Sequence, residues 1–320
     1  MAGPLTAATQ VPAHRARNTL QALALLAGMA ALLGLLGGLL GGAVGAVWAL
    51  ALTGVLLALS PRIAPALLLR LYGGQPIHAA QAPGLVQAVD VLAARAGLPR
   101  PPALFLVPSP LLNAFTVGTP RTAAVALTAG LLRGLPTREV VAVLAHEIAH
   151  IRNHDMLVMG LADLMSRLTA LLSNVGVLLV LLNLPLVLLG QATISWGAVA
   201  LLLLAPTFGM LLQLALSRTR EYDADAGAAA LTGDPEGLMH ALAHLEQRQG
   251  RWLEHLLLPG RRLPDPSLLR SHPPTQARIE RLRALAQTLQ PAPVPDWDPL
   301  HHLGPTVLRR PRWRPGGLWY

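Results

Sequence analysis

The run His146-Glu147-Ile148-Ala149-His150 puts two imidazoles and a carboxylate within five residues. On an α-helix His146 and His150 stand one turn apart on one face, so both rings can reach a single cation. Glu147 sits beside the first ring, placed to take a proton from a water whose acidity the cation raises. Pro136-Thr137 supplies a helix start, with Thr137 as the cap and Glu139 in the first turn. The alternative is a solvated polar face on a core helix. Two features oppose it: ionisable residues are scarce in this chain yet cluster here, and a third donor is available downstream.

That donor is Glu221, in Arg220-Glu221-Tyr222-Asp223-Ala224-Asp225. A catalytic zinc takes three protein ligands and keeps a fourth position open. Glu221 and Asp225 are four apart and share a helix face. With Glu221 as ligand, Asp225 can accept a hydrogen bond from a ligand histidine and fix its tautomer. Otherwise the two are exposed acids beyond an apolar segment. The chain has no cysteine, so His, Asp and Glu must supply every metal ligand, and one Zn2+ per chain is the expected cofactor.

The other histidines divide. His154 is eight residues after His146, a rise of roughly 12 Å if the helix continues, too far to share a zinc. It reads as a helix-surface residue. His240 and His244 repeat the four-residue spacing without a following Glu or an obvious carboxylate partner, and read as a surface pair. His272, in Ser271-His272-Pro273-Pro274, is either a loop histidine or, held by the rigid prolines, a donor to the oxyanion of a tetrahedral intermediate.

These residues must be carried by a chain of 320 residues, 53% hydrophobic and only 13% charged, too apolar for an ordinary soluble protein. No charge interrupts the stretch between Arg17 and Arg62, or that between Arg167 and Arg218. Each is long enough to cross a bilayer twice. Gly37-Gly38 and Gly41-Gly42 offer the first stretch a tight turn. Arg15, Arg17, Arg62, Arg70, Arg152, Arg167, Arg218 and Arg220 flank the two stretches, so all four flanks are expected in the cytoplasm. The net charge of +9 belongs to these flanks; no basic stripe with aromatics accompanies it, so nucleic acid is not an expected partner.

Between the apolar stretches, Pro83–Ala96 has helical periodicity with Pro83 at its first position. Ala103–Val107 and Ala123–Thr128 read as strands, with a third strand-like run over Asn113-Ala-Phe-Thr-Val-Gly118. Residues 221–247 and 274–290 read as helical, and the tail from Pro291 as poorly ordered.

In combination, Asn113-Ala-Phe-Thr-Val-Gly118, the run from His146 to Asp155, Ser217-Arg-Thr-Arg-Glu-Tyr-Asp-Ala-Asp225 and Ser271-His-Pro-Pro-Thr-Gln-Ala-Arg278 resemble the HtpX-type membrane metalloproteases, heat-shock relatives of the CAAX prenyl proteases. The resemblance covers roughly residues 15–290. It implies zinc on His146, His150 and Glu221, with Glu147 as base. It implies that the strand with Asn113, Ala114 and Phe115 pairs with substrate backbone. It sets His272 and Arg278 near the transition state.

The expected fold is thus α+β and mainly helical: an integral membrane protein with about four transmembrane helices in two hairpins, and a cytoplasmic zincin-like (gluzincin) catalytic domain with a small β-sheet. The expected divisions are a cytoplasmic segment 1–18, a first hairpin 19–61, catalytic residues 62–166, a second hairpin 167–217, catalytic residues 218–290 and a tail 291–320. The expected function is zinc-dependent endopeptidase of the inner membrane, cutting unfolded or misfolded membrane proteins at cytoplasmic segments, with both termini cytoplasmic. The alternatives are a processing protease for lipidated or short peptides and an inactive zinc-binding membrane scaffold. The intact Glu147 opposes the scaffold. The sequence leaves the oligomeric state open.

Overall fold

The computed structural model describes residues 5–59, 69, 73–190, 195–256, 275–287, 313–314 and 318–319. His272, Arg62, Arg70 and most of the tail after Pro291 lie outside them. The chain divides into two compact units, Met1–Arg62 with Leu157–Thr219, and Ile63–Met156 with Arg220–Tyr320.

The first unit contains α1 (Leu5–Leu59), most of α5 (Asp155–Leu188) and the first part of α6 (Trp196–Thr232). Among the described residues three helices are long and apolar enough to cross a membrane: Thr19–Leu56, Asp155–Leu188 and Trp196–Thr232. The first of these is broken at Gly41 and Gly42. Gly42 has φ +62° and ψ −156°, a backbone that residues with a Cβ rarely adopt. The chain turns back there. A Cβ on Gly37 would stand 2.7 Å from that of Ala49, so the two arms meet at backbone distance. Leu33 is buried with Ala49 of the other arm and Leu168 of α5, whereas Met29 and Leu36 are buried against Met165, Leu202, Ala205 and Leu216 from α5 and α6. The Ser173 hydroxyl donates to the Leu202 carbonyl, which joins α5 to α6. The outward faces keep large apolar side chains uncovered, among them Leu182, Leu203, Trp48 and Trp196, a surface suited to hydrocarbon rather than water.

The second unit holds β1 (Gln75–Pro76), α2 (Pro83–Ala96), β2 (Ala103–Val107), β3 (Ala114–Val117), β4 (Ala124–Thr128), α3 (Ala129–Gly134), α4 (Thr137–Arg152), the end of α6, α7 (Pro235–Leu256) and α8 (Thr275–Ala286). In the tail, β5 (Trp313–Arg314) pairs antiparallel with β6 (Leu318–Trp319). The sheet order is β1-β2-β4-β3, with β2 and β4 parallel and both outer pairings antiparallel. Strand alternation sends Leu104, Leu106, Val125 and Leu127 into the core under α2 and α4, and Phe105, Val107, Ala124 and Ala126 to the other face. α4 packs against α2 and α7, and α7 against α8.

Several boundaries follow from single residues. α2 ends at Gly97, whose φ of +70° lets Leu98 N–H reach the Ala93 carbonyl. Thr137 is the first residue of α4 rather than its cap; Pro136, held extended at φ −58° and ψ 154°, stands before it. α4 stops at Arg152, because His154 takes φ +59°, and α5 starts at Asp155. His154 is therefore on the turn between two helices, not one turn further along the helix of His146. The expected helix over 221–247 is two: α6 runs through to Thr232, Gly233 turns at φ +63°, and Asp234 caps α7 by accepting from Gly237 N–H at 3.1 Å.

Candidate metal centre

α4 carries the first two donors. Its Val140, Leu144, Ile148 and Ile151 are fully buried, so the whole helix is fixed inside the second unit and the His146–His150 face is set with it. The two Nε2 atoms lie 3.1 Å apart, with the rings edge to face and their centroids 4.6 Å apart. The end of α6 brings the third donor. Its Ala224, Gly227 and Ala228 let the backbones approach closely; a Cβ on Gly227 would stand 2.8 Å from that of Ala149. Glu221 thereby sets Oε2 3.5 Å from His146 Nε2 and Oε1 3.7 Å from His150 Nε2. Among the described residues, His146, His150 and Glu221 are the one group of three whose ligand atoms all fall within 4.8 Å of each other.

Behind each imidazole stands a carboxylate, and behind each carboxylate an arginine. Asp225 Oδ1 is 3.1 Å from His146 Nδ1, and Arg278 grips Asp225 with Nε and Nη2 while its Nη1 lies 3.2 Å from Glu221 Oε2. Asp155 Oδ2 is 2.7 Å from His150 Nδ1, and Arg220 Nη1 is 3.4 Å from Asp155 Oδ1. Burial pulls the pKa of His146 down, but its bonds to Asp225 and Glu221 outweigh that and push it up to about 10. His150 is also raised: burial and the neighbouring His146 lower it, and Asp155 and Glu221 more than compensate. Burial alone would lower Arg278, but Asp225 and Glu221 hold its pKa above its ordinary value.

This donor set fits a divalent cation. Nδ1 of His146 and of His150 stand 3.1 and 2.7 Å from the carboxylates of Asp225 and Asp155, so with one hydrogen on each Nδ1 both Nε2 atoms would present lone pairs toward the same point, next to Glu221. Three donors converging in a buried place need positive charge among them: the raised pKa of His146 is the response with a proton, and a divalent cation would answer all three at once. Two imidazoles and one carboxylate are a zinc ligand set, and each imidazole has behind it the carboxylate that zinc histidines usually need. Glu147, next along α4, is half-buried and accepts a 2.6 Å hydrogen bond from the Thr116 hydroxyl on β3.

The model of Peptidase family M48 matches residues 79–286, a range that holds the HExxH helix, Glu221, Asp225 and Arg278. The chain belongs to peptidase family M48. It is similar to the "Protease HtpX homolog" of Acidiphilium cryptum, 37% identical over 236 residues covering 68% of this chain and 79% of that one. The "Protease HtpX homolog" of Acaryochloris marina is 39% identical, covering 69% of this chain and 78% of its own. That of Desulforapulum autotrophicum is 36% identical over 83% of this chain and 89% of its own. Among solved structures, S. mikatae Ste24p aligns over 73% of this chain and 57% of its own, at 21% identity and a TM-score of 0.44. An M48 peptidase is a metalloprotease, and the His146–His150–Glu221 cluster is where this one can hold its metal.

In this M48 peptidase the remaining sequence candidates fall in different places. Ala114 begins the edge strand β3 and Asn113 stands just before it; Thr128 clamps Asn113 by accepting its N–H at 3.0 Å and donating its own backbone N–H to the Asn113 carbonyl. Phe115 points to the sheet face away from Glu147, against the layer of Phe105 and Ala126. Arg278 is buried, its guanidinium committed to Asp225 and Glu221 rather than to an open face. His244 does have a carboxylate partner, since its Nδ1 is 2.7 Å from Oε2 of the buried Glu139 across the α4–α7 packing. Arg220, read as a basic flank, is instead buried against Asp155.

Three residues carry roles that spacing did not suggest: Asp155, Arg220 and Thr116. Asp155 follows His150 by five residues across the break at His154, which no helical spacing bridges. The other two depend on contacts between distant parts of the chain.

Proposed function

We propose that this M48 peptidase is a zinc-dependent endopeptidase of the inner membrane that cuts misfolded or damaged membrane proteins at segments exposed in the cytoplasm. The observation that carries the reading is the convergence of His146, His150 and Glu221 with Glu147 next to them, in a chain whose apolar helices suit a bilayer. The turn at Gly41–Gly42 supports four crossings in two hairpins. The basic flanks Arg167 and Arg218 support an orientation with the site and both termini in the cytoplasm.

Zinc held by the three ligands would supply Lewis acidity toward the scissile carbonyl and toward water. The chain's own residues do the rest. Asp225 and Asp155 keep each ligand imidazole in one tautomer and one orientation. Glu147 accepts the proton of the attacking water and returns it to the leaving amine. Substrate pairs as an added strand with β3, the outer strand of the sheet, beside Asn113, Ala114 and Phe115. His272 donates to the oxyanion, a role that rests on its sequence position alone. Arg278 acts through Asp225 and Glu221.

The test is cleavage of casein and of an unfolded membrane protein by the purified full-length chain. The wild type should cut, a chelator should stop it and zinc should restore it. Glu147→Gln should retain zinc without cutting, and full activity in that variant would refute the assignment.

A further inference from the structure

The edge strand that faces the site also holds the base. Thr116 Oγ1 donates to Glu147 Oε2 at 2.6 Å, a short bond to an ionisable acceptor. Its direction follows from strand alternation. Phe115 and Val117 pack on the far face of the sheet, so Thr116 points toward α4. Threonine suits this position because its branched Cβ restricts χ1, which fixes the hydroxyl where a serine's would rotate more freely.

The register adds a second link. Asn113 pairs with Thr128 through the bond from Thr128 N–H to the Asn113 carbonyl, and Ala114, Phe115 and Thr116 follow opposite Leu127, Ala126 and Val125. In an antiparallel ladder hydrogen-bonded pairs alternate with non-bonded ones. Phe115 therefore turns its backbone groups to β4, while Ala114 and Thr116 turn theirs to the open edge. One residue thus offers its backbone to an incoming strand and its side chain to Glu147.

We propose that Thr116 is a positioning residue that aims the Glu147 carboxylate, occupying Oε2 so that Oε1 faces the attacking water, and that ties this aim to substrate pairing on β3. The proposal rests on the peptidase reading given above. A carboxylate free to rotate would lose alignment with the water, a loss felt in the chemical step more than in substrate binding.

The experiment compares wild type, Thr116→Val, Thr116→Ala and Thr116→Ser as full-length purified protein, measuring kcat and KM on one internally quenched peptide, zinc content and melting temperature. Valine keeps the shape and removes the hydroxyl; alanine carries the test if valine fails to fold. The expected result is a kcat reduced about 10- to 100-fold in the variants without a hydroxyl, at unchanged KM and unchanged zinc, with serine restoring most of it. Wild-type kcat in a folded variant lacking the hydroxyl would overturn the proposal, as would a loss confined to KM or a serine variant no better than alanine. An inactive, zinc-loaded wild type would instead overturn the peptidase reading on which it rests.

Discussion

Arg278 holds Asp225 through two parallel hydrogen bonds, Nε to Oδ2 at 2.7 Å and Nη2 to Oδ1 at 2.6 Å, and Asp225 in turn lies 3.1 Å from Nδ1 of His146. α8 is thereby fastened to the metal centre by an ion pair that is buried on both sides. A second contact accompanies it, with Arg281 stacked 3.7 Å over the Tyr222 ring.

Removing the guanidinium should leave Asp225 buried without its main partner. Arg278→Ala is expected to destabilise the folded chain by about 3–5 kcal/mol, the range for breaking a buried ion pair from one side. Thermal unfolding in detergent checks this. A melting temperature equal to that of wild type would mean that water or a neighbour replaces the guanidinium.

Asp155 should matter to the metal more than to the fold. Asp155→Asn keeps the shape but removes the negative charge that His150 Nδ1 and Arg220 face. Zinc affinity, measured by competition with a chromophoric chelator, is expected to fall about 10- to 100-fold. Unchanged affinity would show that the orientation of His150 does not depend on this carboxylate.

Outside the metal centre, Arg138 holds the Asp234 carboxyl below the usual range; burial opposes this and the Gly237 N–H assists it. A carboxyl whose folded pKa lies below its unfolded value stabilises the fold above the unfolded value, near 3.9, and loses that contribution as pH falls through the folded one. The stability difference between wild type and Asp234→Asn should therefore be constant from neutral pH to about 5 and vanish in stronger acid. Arg138 is half exposed, so the difference should not exceed about 1 kcal/mol. A difference that grows toward acid would contradict the assignment.

The candidate donors His146, His150 and Glu221, which the structure brings together, were legible in the sequence because helix geometry links residues four apart, and because few other ionisable residues compete for attention in so apolar a chain. Strands β2, β3 and β4 were legible as short apolar, partly β-branched runs, and the turn at Gly41–Gly42 as paired glycines in an uncharged stretch. Asp155 was not, because His154 ends one helix in a left-handed turn and no periodic rule carries across it. Thr116 was hidden for another reason: its direction depends on the register with β4 and on the position of α4. The pairing of His244 with Glu139 joins residues 105 apart and exists only through the packing of α7 on α4.

The most direct test of the central claim is the metal content of the purified chain. Wild type and Glu147→Gln should each carry one zinc per chain, because Glu147 is a base and not a ligand, while Glu221→Ala should lose the ion along with activity. A Glu221→Ala protein that still holds one zinc per chain would contradict the account.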